Sequence, residues 1–181
     1  MSLSLASIRG NRHFLEQGID LLERLSPEVY RTPTRPGWAA VGSQFRHALD
    51  HYRAFLEGAP EGRVDYDARQ RERLIETDPR EAAAQAREFI IRLEQIHVED
   101  ADRPVAVQMD SGGGHLPDWR PSTIGRELQF LVSHTVHHYA LIKLMLEDVG
   151  IDAGSDFGVA PSSLAYQAAL RSESAETGAG N

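Results

Sequence analysis

No cysteine occurs among the 181 residues. The chain therefore has no disulfide, no thiolate nucleophile of its own and no Cys-ligated zinc. Basic residues are also short: 19 Lys and Arg stand against 27 Asp and Glu, for a net charge of -8. Binding to nucleic acid or to an anionic membrane surface calls for a basic face, so neither partner is expected. After Met1 there is no apolar run long enough for a signal peptide or a membrane span, and the cytoplasm is the expected location. What is present is an ordinary globular composition, 41% hydrophobic, enough to bury a core. One domain is expected over residues 1–170, followed by a small polar tail, 171–181, expected to be disordered.

Apolar spacing predicts a first helix over about Leu3 to Leu25, ended by Ser26-Pro27, because the residue before proline avoids the helical region. Gly10 and Gly18 weaken that helix. A second helix is expected from Val41 to Glu57, stopping at Gly58. Residues 58–77 are polar and read as a loop with a short helical piece near Ala68 to Ile75. Asp78-Pro79-Arg80-Glu81 carries the marks of a helix start, with Asp78 as cap, Pro79 in the first turn and Glu81 closing a capping box. That third helix should run to about Val98. Pro104 to Asp110 alternates like a strand, and Ser111 to Gly114 resembles a hairpin turn with a return strand over Leu116 to Arg120. Ser122 opens the longest helix, which should end near Gly150, and Ser162 to Leu170 reads as a short closing helix. The expected fold is all-α: a four-helix bundle with a long connection and a short β-hairpin before the last bundle helix.

The unusual count is histidine, at 8. His47 and His51 lie four apart on the second helix, and His134 and His138 four apart on the last. Residues at i and i+4 sit one above the other, so both imidazoles of such a pair can reach one cation. Neutral imidazole is the commonest ligand for Zn, Ni and Fe. Leu131, His134, His138, Leu141 and Met145 follow one heptad stripe, which should face the core. Buried imidazoles need partners for both ring nitrogens, and a metal supplies one to each. The alternative is a pair of core histidines bound to carbonyls, tyrosine or carboxylates. His137 points about 100° away from His138 and reads as a rim residue. On the second helix, wheel geometry favours His51 over His47 as a ligand, with Asp50 placed to orient an imidazole. His13, His97 and His115 stand alone and read as surface or structural residues.

The segments Phe45-Arg46-His47-Ala48-Leu49-Asp50-His51 and Ser133-His134-Thr135-Val136-His137-His138-Tyr139 resemble the DinB-like family of bacterial four-helix-bundle metal proteins. The first matches that family's H-x-x-D segment and the second its H-x-x-x-H. The likeness extends from the first helix to about Leu170, including Pro161-Ser162-Ser163-Leu164. It implies an up-down-down-up bundle, often dimeric, with one divalent metal (Zn, Ni or Fe) on three His. Carried across, those ligands are His47, His134 and His138, leaving His51 as pocket wall or reserve ligand. The resemblance also implies thiol-dependent transferase or isomerase chemistry with a low-molecular-weight thiol, although many such proteins have no known reaction.

Three His leave coordination positions open for water or substrate. The expected function is a metal-dependent enzyme acting on a small molecule, with the metal activating a small thiol, as in a transferase, or water, as in a hydrolase. Asp50, His51, Glu127 (one heptad before His134) and Tyr66 are the candidate helpers. The rival is a non-catalytic metal- or ligand-binding protein connected with stress. A third alternative is a helical dimerisation module with structural histidines. The charged run from Arg63 to Arg73 is either a solvated face or a source of an Arg over the pocket.

Overall fold

Apolar residues at helical spacing build four long helices, and the sequences between them build short elements that close the bundle. The computed structural model describes residues 6–68, 72–110, 112 and 118–178. In chain order the elements are α1 (Ala6–Leu22), α2 (Pro27–Arg31), α3 (Val41–Gly58), β1 (Arg63–Asp65), α4 (Arg73–Thr77) and α5 (Pro79–Leu93). A 3-10 turn at Val98–Asp100 follows, then β2 (Pro104–Gln108), β3 (Arg120–Thr123), α6 (Ile124–Glu147) and α7 (Pro161–Gly178).

Helix α1 packs on α5 and α6, and α3 packs on the same two, so the bundle has α1 and α3 at opposite corners. Phe14, Phe45, Phe55, Phe89, Leu128 and Leu131 fill its centre, each at most 1% exposed. Gly18 is the residue that lets α1 and α6 approach: a Cβ there would fall into the hydroxyl of Tyr139, which is itself buried and stacked on Phe157. The glycine that lowers helix propensity is therefore a contact requirement. Asn11 is fully buried and satisfied. Its amide donates to Ser7 O and Leu128 O, both at 2.8 Å, and its oxygen accepts from the Tyr52 hydroxyl at 2.8 Å. Thr135 Oγ1 lies 3.1 Å from that hydroxyl, so one polar chain ties α1, α3 and α6 together.

Several boundaries differ from the sequence expectation, each for a local reason. Ser26-Pro27 does follow the end of α1, but Ser26 also accepts the Val29 N–H and caps α2. The helical piece expected at Ala68 to Ile75 is α4, shifted to Arg73–Thr77. Asp78 caps α5 as expected, accepting the Arg80 N–H at 2.9 Å. Its own N–H is spent on Leu74 O at the end of α4, so the Glu81 half of the capping box has no free donor to return to. Helix α5 ends at Leu93 and not at Val98, where the 3-10 turn begins. Thr123, not Ser122, caps α6, by accepting the Arg126 N–H.

The hairpin exists, with β3 antiparallel to β2 in the register Val105↔Ser122. Its return strand starts at Arg120, where the expected one ended. Residues 111 and 113–117, which carry the expected turn and His115, lie outside the described residues. A third strand, β1, pairs in parallel with β2. Three residues carry no measurable alternation, so this strand falls within the stretch expected as loop. Helix α7 continues to Gly178, eight residues past the expected end at Leu170. Among the described residues, no helix is long and apolar enough to cross a membrane.

Candidate metal centre

Helices α3 and α6 pack against each other, and each turns one histidine pair toward the other. Phe45 against Tyr139, with ring centroids 5.5 Å apart, fastens the helices on one side of the pairs. Tyr66, just after β1, meets Phe130 of α6 at 5.1 Å on the other. Between these contacts the imidazoles form one cluster. Ring centroids lie 3.8 Å apart for His51 and His134, 4.5 Å for His47 and His138, 4.5 Å for His134 and His138, and 5.1 Å for His47 and His134. One nitrogen each from His47, His51 and His134 falls in a group with all separations within 4.8 Å, close enough for one metal ion. His138 joins at the edge, with its Nε2 3.2 Å from Nε2 of His134.

Hydrogen bonds set which nitrogen each ring presents. His51 Nδ1 donates to His47 O at 2.9 Å, so its lone pair is on Nε2. His138 Nδ1 lies 2.7 Å from Gln44 Oε1, an acceptor, so its lone pair is also on Nε2. This is the arrangement by which outer groups orient metal-binding imidazoles. His134 differs: its Nδ1 is buried and has no partner among the described residues. Burial above all, and then the charge that His51, His138 and His47 would carry, lower its pKa from 6.5 to about 2. His134 is thus held neutral, the form that binds a cation. An orphaned nitrogen beside three further imidazoles fits a divalent ion that accepts nitrogen donors, which is what zinc, nickel and iron do.

The candidate helpers fall into two groups. Glu127 is buried and accepts from the Tyr66 hydroxyl at 2.8 Å and from Ser122 Oγ at 2.5 Å. The Tyr66 ring stacks on His51 at 5.2 Å. Burial first and the Glu127 charge second raise the pKa of Tyr66, so it stays a hydroxyl donor. Asp50, by contrast, is engaged by Arg46 Nη1 at 2.8 Å, and Arg46 also binds Glu76 at 2.9 Å. That ion-pair chain places Asp50 beside α4, which packs on α3. His13, His97 and His137 are exposed, as expected.

Gln44 and Phe130 touch the clustered rings, and Ser122 binds Glu127, three contacts that the sequence does not announce. Gln44 lies three residues before His47 and Phe130 four before His134, so helical spacing was the available signal for both. Thr123 takes the cap expected of Ser122, which leaves the Ser122 hydroxyl for Glu127.

Comparison with known proteins is decisive for the family. Residues 17–142 match the DinB superfamily. This chain belongs to the DinB superfamily. A DinB-like protein from Bacillus subtilis of known structure shares its fold, with a TM-score of 0.60 at 20% identity over 81% of this chain and 93% of that one. FK506-binding protein 5 of Rhizopus delemar is 34% identical over 109 residues, 57% of this chain. The chain spans only 27% of that relative's length. DinB membership and the clustered histidines together are compatible with a metal-binding protein.

Proposed function

We propose that this DinB-superfamily chain is a metal-dependent enzyme, with one divalent ion, zinc, nickel or iron, held by the histidine cluster. His47, His134 and His138 are the ligands implied by the resemblance, and His51 is the donor that the geometry adds. The observation that carries this reading is the convergence of imidazoles from α3 and α6, with a buried nitrogen of His134 left without a partner. Bound there, the ion supplies the Lewis acidity that brings a coordinated water or thiol toward ionisation at neutral pH. The chain has no Cys, so any thiol is a low-molecular-weight cofactor or substrate. Glu127 is the proton acceptor in this scheme, and the Tyr66 hydroxyl relays between it and the pocket. Tyr66 and Phe130 set two aromatic rings beside the cluster, surroundings that favour a small apolar substrate.

A second reading, a non-catalytic metal-binding protein, is favoured by the fourth imidazole. Four nitrogen donors would close a tetrahedral site and leave no position for substrate.

Elemental analysis of the purified protein beside the His134→Ala/His138→Ala double variant tests the shared premise. About one divalent ion per chain in the wild type, lost in the variant, is expected. Equal and negligible metal in both after divalent-ion loading rejects both readings. A screen of small thiols against electrophiles, run on loaded protein, then separates enzyme from binder.

A further inference from the structure

A cavity of about 280 Å³ opens at the end of the bundle between the last turns of α3 and α5 and the start of α6. Its floor is apolar. Phe55, Leu56 and Ile124 are core residues that also line it, and Ile96 adds a partly buried face. Its rim carries Arg92, Arg103 and Asp100.

The guanidiniums there have donors to spare. Arg92 lies 3.7 Å from Glu88, and Arg103 lies 3.7 Å from Asp100. Both separations exceed hydrogen-bond reach, and neither guanidinium donates a hydrogen bond among the described residues. Each offers five N–H groups in a planar fork suited to a carboxylate. The start of α6 does not compete for an anion, because its first N–H groups bind Arg103 O and Ala101 O.

We propose that this cavity is a binding site for a small monocarboxylate with an apolar body, received head-on by Arg92 and Arg103. Charge limits the number of acid groups: the two guanidiniums already face Glu88 and Asp100 at 3.7 Å, so the rim is close to neutral and its unused N–H groups receive one carboxylate but not a second charge. Size limits the body: about 280 Å³ lies at the small end of ligand cavities, which run from about 300 Å³ upward. A phosphate or sulfate would leave the apolar floor uncovered. None of the lining residues belongs to the histidine cluster, so the site stands whether or not the cluster binds metal.

Calorimetric titration of the full, metal-stripped chain with 4-phenylbutyrate, and with the neutral 4-phenylbutanol, tests this. Saturable binding of the acid is expected, with the alcohol about tenfold weaker. Arg92→Ala/Arg103→Ala should bring the acid down to the alcohol's level, and His134→Ala should change neither. Amide shifts on titration should centre on Ile96 and Ile124. The proposal is overturned by no saturable binding up to about 10 mM acid, by equal affinity for acid and alcohol, by shifts centred on His134, or by unchanged affinity in the folded double variant. Should the double variant not fold, the single Arg103→Gln substitution on a half-exposed side chain repeats the comparison, with weakened acid binding expected and unchanged binding contradicting.

Discussion

Gln44 sits one turn before His47, and its amide oxygen holds Nδ1 of His138 at 2.7 Å. Such outer contacts fix a ring's tautomer and its aim, and losing one costs about 10–100-fold in metal affinity. Gln44→Leu should therefore weaken metal binding by about that factor, read by competition with a chelator, with little change in helical content. Gln44→Glu keeps an acceptor and should retain affinity. Unchanged affinity in the Leu variant would mean that His138 takes no part in binding. At this scale the sequence was informative about ring placement and less so about partners. The i, i+4 spacing brought His134 and His138 to one face. The wheel position of His51 and the family likeness that named His47 both pointed into the cluster. Gln44 and the Tyr66–Glu127 contact were illegible as partnerships, because each joins segments far apart in sequence.

The polar chain from Asn11 through Tyr52 to Thr135 crosses three helices at the bundle centre. Asn11→Ala removes the acceptor of the Tyr52 O–H and one donor to Leu128 O, and a buried donor so orphaned costs about 1–3 kcal/mol. Chemical denaturation should record a loss of that size, and a loss near zero would mean that the chain contributes nothing net. Element type was largely legible here, and element ends were not. The four long helices announce themselves through Ile19, Phe45, Phe89 and Leu131 at helical spacing. Their ends are decided by which donor reaches which cap: Asp78 serves two helices, and Thr123 takes the role expected of Ser122. Strand β1 depends on β2, some forty residues later, and nothing within Arg63–Asp65 announces that pairing. Gly18 looked like a weakness because its reason, Tyr139, lies on another helix.

For the whole molecule, the histidine cluster links stability to pH. Folding lowers the pKa of His134 from 6.5 to about 2. Above pH 6.5 the ring is neutral in both states and the fold loses nothing. Below it the unfolded chain takes up a proton that the folded chain refuses, so stability falls as pH falls toward 2. The slope is at most about 1.4 kcal/mol per pH unit, and smaller to the extent that water screens the partly buried ring. Denaturation of metal-free protein at pH 7 and pH 5 should show this loss, and His134→Gln should flatten it. An equal loss in that variant would place the sensitivity elsewhere. A bound divalent ion should raise the pH 7 stability further, since it binds only the folded arrangement.

X-ray absorption at the metal edge of the loaded protein bears most directly on the central claim, that imidazoles from α3 and α6 share one ion. Three or four nitrogen donors at about 2.0–2.1 Å with imidazole scattering are predicted, falling by at least one in His47→Ala and again in His134→Ala. A spectrum dominated by oxygen donors, or one unchanged by both substitutions, would contradict it.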